Sequence, residues 1–289
     1  MNLQRCYNAS EDRFPVPSRI RETYGSFGFP DPRDPGRPYV SANFVMSLDG
    51  RGSFRELPGQ AGGKEVSRSV EDRWLMDFLR AHHDAQLIGA STLRDEPGTD
   101  GKGWDYGIDD RELVEYRRDT LKLGPQRIIL LTASGEVDLG ANVFTSGRVE
   151  AWILTGTAGE ERLRAQMGSR TLPRQPRIVA TTEGRNVDFA HALRVLKEKH
   201  GIRTLLCEGG PTVYGGLLDR QLIDEDFRTI SFQVIGNSTK PGIDRPTTYG
   251  NLGFLPESAP WFRLVSLHYA LPYHAFLRLR FEGARKFSG

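Results

Sequence analysis

Seven short aliphatic and aromatic runs, Tyr39–Met46, Ala85–Ile88, Arg127–Leu131, Ala151–Leu154, Arg177–Ala180, Thr204–Cys207 and Phe227–Ile235, recur along this chain with helical patterns between them. Runs this short, bounded by turn formers, read as strands, and strands that alternate with helices build a mostly parallel sheet covered on both faces. Helical spacing falls at about 70–82, 109–120, 158–167, 188–200 and 212–220. The first helix has Ser69 as its cap with Asp72 three residues on, and Trp74, Leu75, Phe78 and Leu79 on its apolar face. Arg73 and Arg80, seven residues apart, share another face, and Asp188 caps the fourth helix. Two alternating runs, Trp261–Tyr269 and His274–Phe281, joined around Pro272, predict an antiparallel hairpin on the sheet edge.

Ahead of this text, residues 1–37 are rich in turn formers (Phe14-Pro15-Val16-Pro17 and Asp31-Pro32-Arg33-Asp34-Pro35-Gly36) and read as an N-terminal arm before a domain over 38–289. The Pro/Gly-rich stretch 237–260 reads as a long surface connection. Lys and Arg number 39 against 37 acidic residues, so net charge gives no reason to expect nucleic acid or a membrane surface as partner, and any anion recognition must be local. No apolar run approaches the roughly 20 residues that span a bilayer, and the first ten residues lack a leader-like apolar segment, so a cytoplasmic location is expected. Cys6 and Cys207 cannot build a disulfide framework, and neither they nor His82, His83, His191, His200, His268 and His274 have metal-ligand spacing. The G-x-S-x-G elbow, the Walker A motif and a G-x-G-x-x-G turn between strand and helix are absent.

Three strand ends share one character. Leu205-Leu206-Cys207 runs into Glu208-Gly209-Gly210-Pro211-Thr212 and then a helix, leaving N–H groups at a helix N-terminus where the dipole favours an anion. Read alone, these residues serve equally as an ordinary strand-to-helix turn. Ser47-Leu48-Asp49-Gly50 ends the first strand in an acid and a glycine, a pattern more often a turn than a catalytic acid. Gly89-Ala90-Ser91-Thr92, followed by Leu93-Arg94-Asp95-Glu96-Pro97, ends another in small residues that allow close approach of a ligand. Parallel strands present their carboxyl ends on one edge, so the three loops are expected to converge.

These motifs, with Asp72-Arg73, Leu79-Arg80-Ala81, Asp84-Ala85 and Leu222-Ile223-Asp224-Glu225, stand in the order and spacing of the riboflavin-biosynthesis pyrimidine reductases. From about 38 to 236 the chain resembles the reductase domain of the bifunctional deaminase/reductase, within the dihydrofolate-reductase-like superfamily. The resemblance implies a three-layer αβα fold, NADPH as hydride donor, a homodimer, and reduction of the ribosyl group of 5-amino-6-(5-phosphoribosylamino)uracil to ribityl. It also implies roles: Glu208 and Asp95 as catalytic acids, with Glu208 contacting substrate. Thr92, Asp95, Thr132 and the loop Gly209, Gly210, Pro211, Thr212 and Val213 are implied to hold the cofactor. Arg80 is implied to hold the substrate phosphate, and no metal is involved.

The departures bear on the substrate. The family's Ser-x-Trp before the first helix is replaced near Lys64-Glu65-Val66, and its Asp-Asp-Pro-x-Leu-Thr-x-Arg reads Asp95-Glu96-Pro97-Gly98-Thr99-Asp100-Gly101-Lys102. Lys64 and Lys102 are the candidate phosphate contacts there, as point charges without the planar fork of arginine. The cofactor loop is intact. The His-x-Glu and Pro-Cys-x-x-Cys zinc ligands of a deaminase are absent from these residues. Two other readings stay open: a reductase of another heterocycle, such as a pterin or secondary-metabolite precursor, and an NADPH-binding protein without turnover.

Overall fold

The computed structural model describes residues 2–54, 62–96, 100–168, 171–184, 186–238, 240 and 242–284. In chain order the strands are β1 (Gln4–Asn8), β2 (Tyr39–Ser47), β3 (Ala85–Gly89), β4 (Arg127–Leu131), β5 (Glu150–Thr155), β6 (Arg177–Ala180), β7 (Thr204–Cys207), β8 (Glu225–Ser231), β9 (Pro260–Ala270) and β10 (His274–Ala284). The helices are α1 (Ser18–Tyr24), α2 (Lys64–Ser67), α3 (Val70–His82), α4 (Ala90–Asp95), α5 (Arg111–Glu115, continued by a π-turn to Thr120), α6 (Asn142–Thr145), α7 (Thr157–Met167), α8 (Phe189–Glu198) and α9 (Pro211–Asp219). One sheet takes the strands in the order β1-β9-β10-β8-β2-β7-β3-β4-β5-β6. From β8 to β6 all neighbours are parallel, whereas β1, β9, β10 and β8 pair antiparallel.

The alternation of side chains along the strands makes the layers. Val40, Ala42, Leu205 and Cys207 face α8 and α9, packing with Leu193, Leu196, Val213 and Leu217. Their neighbours Tyr39 and Leu206 face the other side, where Leu75, Phe78 and Leu79 of α3 cover them. Farther along that side Ile128, Leu130 and Ile153 pack with Val143, Phe144 and Leu163 of α6 and α7. Helix α3 begins where the sequence places it: Ser69 Oγ accepts from the N–H groups of Glu71 (3.1 Å) and Asp72 (3.2 Å). No described helix is long and apolar enough to cross a membrane.

Two expectations need correction. The hairpin β9–β10 is not the sheet edge, because β1 adds beyond it by pairing with β9. Residues 2–37 had shown turn formers and no periodic pattern; their apolar residues act as single anchors instead. Tyr24, Phe27 and Phe29 are buried against Phe78, His82, His83 and Phe227. The second correction concerns β8, which spans Glu225–Ser231 rather than Phe227–Ile235. Its first residues are charged yet buried, because each meets a partner. Glu225 accepts from Arg278 and Arg280, and Asp224 just before it is held by both terminal nitrogens of Arg37 at 2.6 and 2.8 Å.

The 237–260 stretch is partly seated on the fold. Thr247 bridges Arg51, and Thr248 Oγ1 accepts from Arg228 at 2.6 Å. Arg228 also meets Asp226 and the Tyr214 hydroxyl, among the rings of Phe44, Tyr214 and Tyr249. A Cβ on Gly215 would stand 2.8 Å from the Tyr249 carbonyl, so this loop lies directly on α9.

Candidate active site

The carboxyl ends of β7 and β3 are side by side and their loops meet there, whereas β2, paired with β7 only as far as Ala42 and Cys207, runs on to Ser47, so the expected convergence holds for the 89–96 and 208–212 loops and not for 47–50. Glu208 N–H donates to Leu87 C=O at 3.0 Å, which carries the β7–β3 pairing one residue past the strand. The Gly210 N–H donates to Thr92 Oγ1 at 3.1 Å, joining the two loops. A Cβ on Gly209 would sit 3.0 Å from the Gly89 nitrogen and 3.1 Å from Val213 Cβ, so glycine is what lets these strand ends close together. Helix α9 then starts with Pro211 and with no side chain capping it. Pro211 has no N–H, and the N–H groups of Gly210, Val213 and Tyr214 are engaged by Thr92 and by the Gly210 carbonyl, so what the N-terminus of α9 offers an anion is the Thr212 N–H and the positive end of the dipole. The third loop is tied down separately: Asp49 accepts from Ser47 Oγ (2.6 Å) and from the N–H groups of Ile235 and Gly236. Burial would raise the Asp49 carboxyl, but these hydrogen bonds hold it below its ordinary value.

Beside the cradle is a buried ion pair. Arg80, on α3, donates from Nε and Nη2 to Glu208 Oε2 at 3.0 and 2.9 Å, and from Nη1 to Gly107 C=O at 3.1 Å. Their side chains are 3% and 7% exposed. Arg80 therefore faces inward, bound to Glu208, rather than projecting into solvent. The fork geometry explains why arginine stands here.

Two further acids share this environment without a cation of their own. Burial pushes the Glu96 carboxyl up to about 7, and the charge of Glu208 adds to the rise more than Arg80 offsets it. Burial also raises Asp72, although Thr229 and Ser67 hydrogen-bond to it; Glu208 again adds. The Tyr106 hydroxyl is buried with no hydrogen-bond partner among the described residues, and its pKa is raised by burial, then by Glu96. Arg80 is already neutralised by Glu208, so the next acid in this low-dielectric site keeps its proton near neutral pH. Glu96, pushed up to about 7, is thus a group able to hold a transferable proton there.

The remaining expected residues are spread around this centre. Asp95 is the last residue of α4, one position before Glu96. Thr132 directly follows β4, buried, its Oγ1 accepting from the Gly135 N–H at 3.1 Å. It lies toward the N-terminus of α7, which like α9 has no side-chain cap. Lys64 starts α2 and its Nζ stands 5.9 Å from the centroid of the Trp104 ring. Lys102 is exposed, its carbonyl accepting from the Asn142 N–H at 2.9 Å. Pro97, Gly98 and Thr99 of the altered motif lie outside the described residues. A surface cleft of about 260 Å³, lined by Asp100, Gly103, Trp104, Asp105, Asn142, Ser146 and Arg148, adjoins this side.

Sequence reasoning passed over Glu96 and Tyr106. For Glu96 a signal existed: Glu96 N–H donates to Thr92 C=O at 3.0 Å, closing a helical turn. Residues three and four apart share a helix face, so a Thr92 aimed at the glycine loop brings Asp95 and Glu96 to the same side of the turn. Tyr106, in a loop, carried no such signal.

Comparison with known proteins gives the family and the fold. Residues 38–249 match the family described as the RibD C-terminal domain. The chain is 30% identical over 192 residues to the 2,5-diamino-6-ribosylamino-4(3H)-pyrimidinone 5′-phosphate reductase of Archaeoglobus fulgidus, covering 65% of this chain and 78% of that protein. It is 26% identical over 208 residues to the riboflavin biosynthesis protein RibD of Bacillus amyloliquefaciens, covering 72% of this chain and 49% of that protein. A pyrimidine reductase-like protein from Corynebacterium diphtheriae has the same fold, with a TM-score of 0.64, 16% identity, and coverage of 92% of this chain and 98% of that one.

Proposed function

The chain belongs to the RibD C-terminal domain family, and from that premise we propose that it is an NADPH-dependent reductase of riboflavin biosynthesis. Its substrate on this reading is a phosphorylated ribosylaminopyrimidine, 5-amino-6-(5-phosphoribosylamino)uracil or its 2-amino counterpart, whose ribosyl group becomes ribityl. The observation that carries the reading is Glu96, pushed up to about 7 by burial and by Glu208 of the closed Arg80–Glu208 pair, one helical turn from the Thr92 that holds the glycine loop before α9.

The residues present suit a dinucleotide. The N-terminus of α9, with Gly209 to Val213, would take its phosphates, Thr92 holds that loop in place, and Thr132 and the start of α7 would lie toward its far end. When bound, NADPH supplies the hydride. Opening the ribosyl ring leaves an imine at C1′, and reducing it consumes one hydride and one proton. Glu96, pushed up to about 7, would supply that proton as a general acid. Glu208, fixed by Arg80, offers a rigid carboxylate edge for the sugar hydroxyls, and a preoriented acceptor lowers the cost of positioning the sugar. With Arg80 engaged, the substrate phosphate falls to Lys64 or Lys102. Asp95 is left at the rim of the same loop as a cofactor contact.

The test is incubation of the purified protein with each pyrimidine and with NADPH or NADH, followed by mass spectrometry. A product heavier by two hydrogens, formed faster with NADPH, supports the reading. Binding of NADPH with neither pyrimidine reduced would move the substrate to another heterocycle.

We infer that the protein acts in the cytoplasm as a homodimer. Leu48, Phe232, Val234, Leu271 and Tyr273 are all exposed, and backbone hydrogen bonds from Leu48 to Gln233 and from Phe232 to Tyr273 gather them at one end of the sheet. An apolar group of this kind marks an interaction surface, and it supports reading this end of the sheet as the dimer contact. Sedimentation should give a dimer for the protein and a monomer for Val234→Asp/Tyr273→Asp; a monomeric wild type would overturn this.

A further inference from the structure

Trp104 is 37% exposed, yet its backbone is firmly held. Gly103, at φ +76°, packs so that a Cβ would stand 3.1 Å from Leu93 Cδ1 and 3.5 Å from the Glu96 carbonyl. Asn142 Nδ2 donates to the Gly103 carbonyl at 2.9 Å, and Asp105 Oδ1 accepts from the Gly107 N–H at 2.9 Å. On the opposite side a Cβ on Gly62 would come within 2.5 Å of Glu96 Oε1. Two residues beyond Gly62, Lys64 Nζ stands 5.9 Å from the centre of the Trp104 ring. Two separate segments thus pack on Glu96, and each then presents one group at the same place, a cation and an indole face, the indole lining the surface cleft.

We propose that Trp104 is the stacking platform for the substrate's heterocycle, and that the Lys64 ammonium leaves the ring face to meet the substrate phosphate. This rests on the reading of the site as that of a pyrimidine reductase. A fixed, half-exposed indole loses little entropy when a planar ring stacks on it, and a lysine on a flexible stem is free to move to an anion. The aromatic missing from the segment before α3 is supplied here by another loop. Substrate selection then lies in residues 62–64 and 103–104, apart from the cofactor loop.

The experiment pairs equilibrium fluorescence with kinetics. Uridine 5′-monophosphate, titrated without cofactor, should quench the tryptophan emission of the wild type but not of Trp104→Phe. Trp104→Ala should raise the KM for the ribosylaminopyrimidine roughly 5- to 100-fold, the range for loss of one stacking face, with the Kd for NADPH unchanged. Trp104→Phe should restore KM to within about threefold, since it keeps a ring. A KM for Trp104→Ala within twofold of wild type, or quenching that persists in Trp104→Phe, would overturn the proposal. If quenching depends on Trp104 while neither pyrimidine is turned over, the platform stands and the reductase reading falls.

Discussion

Arg80 and Glu208, 128 residues apart in the chain, form a two-point ion pair at 2.9 and 3.0 Å in the interior, where the ends of β7 and β3 meet. Removing Glu208 leaves Arg80, among the described carboxylates, only the more distant Asp77 Oδ1 at 3.7 Å, and breaking comparable buried pairs costs about 3–5 kcal/mol. Glu208→Ala should therefore lower both the unfolding free energy and the activity, whereas Arg80→Met/Glu208→Leu should regain much of the stability and none of the turnover. Urea denaturation beside kcat measures the two; a Glu208→Ala protein as stable as wild type would contradict the pairing.

A proton held by Glu96 gives activity a direction in pH. The acid is competent below its pKa of about 7 and loses its proton above it, so kcat should fall as pH rises through that value. Glu96→Gln, unable to donate, should lose about 10²–10⁴ in kcat and lose that limb of the profile. A limb that survives in Glu96→Gln would assign it to another group.

Close contact of the two glycine loops predicts a cofactor defect. In Gly209→Ala the new methyl group would press on the Gly89 backbone and on Val213, spreading the strand ends beneath the start of α9. We expect the KM for NADPH to rise about tenfold, the equivalent of about 1.4 kcal/mol, with a smaller change in the KM for substrate. Equal changes in both constants would argue against a separate cofactor cradle.

The buried histidines make the fold acid-sensitive. Burial lowers His82 to about 3 and His83 and His268 to about 4, each kept neutral within the aromatic core. The unfolded chain takes up protons from about pH 6.5 downward and the folded chain does not, so stability is full above that pH and drains as pH falls toward 4. Each histidine accounts for about 2 kcal/mol between pH 6.5 and pH 5. Urea midpoints that stay constant over that interval would refute the depressed values.

The parallel part of the fold was legible because its strands are aliphatic runs with helices between them, and the meeting of the 89–96 and 208–212 loops follows from their shared strand direction; the 47–50 loop stands apart because β2 outruns β7 by five residues, a length difference that strand direction does not reveal. Hidden features lacked periodicity. Phe27 and Phe29 anchor residues 2–37 one ring at a time, and Glu225, Asp226 and Arg228 look like surface residues until their partners Arg278 and Tyr214 are known. At the site, the glycine loop announced itself through its turn chemistry. The environment that raises Glu96 depends on Arg80 and Glu208 lying together, which no local pattern encodes.

Hydride delivery to the ribosyl carbon is the central claim, and isotope transfer tests it most directly. With NADPH carrying deuterium at both C4 positions and a ribosylaminopyrimidine substrate, the ribityl product should hold one deuterium at C1′, and Glu96→Gln should form it slowly but with the same label. Absence of NADPH oxidation, or a product without deuterium at C1′, would contradict the account.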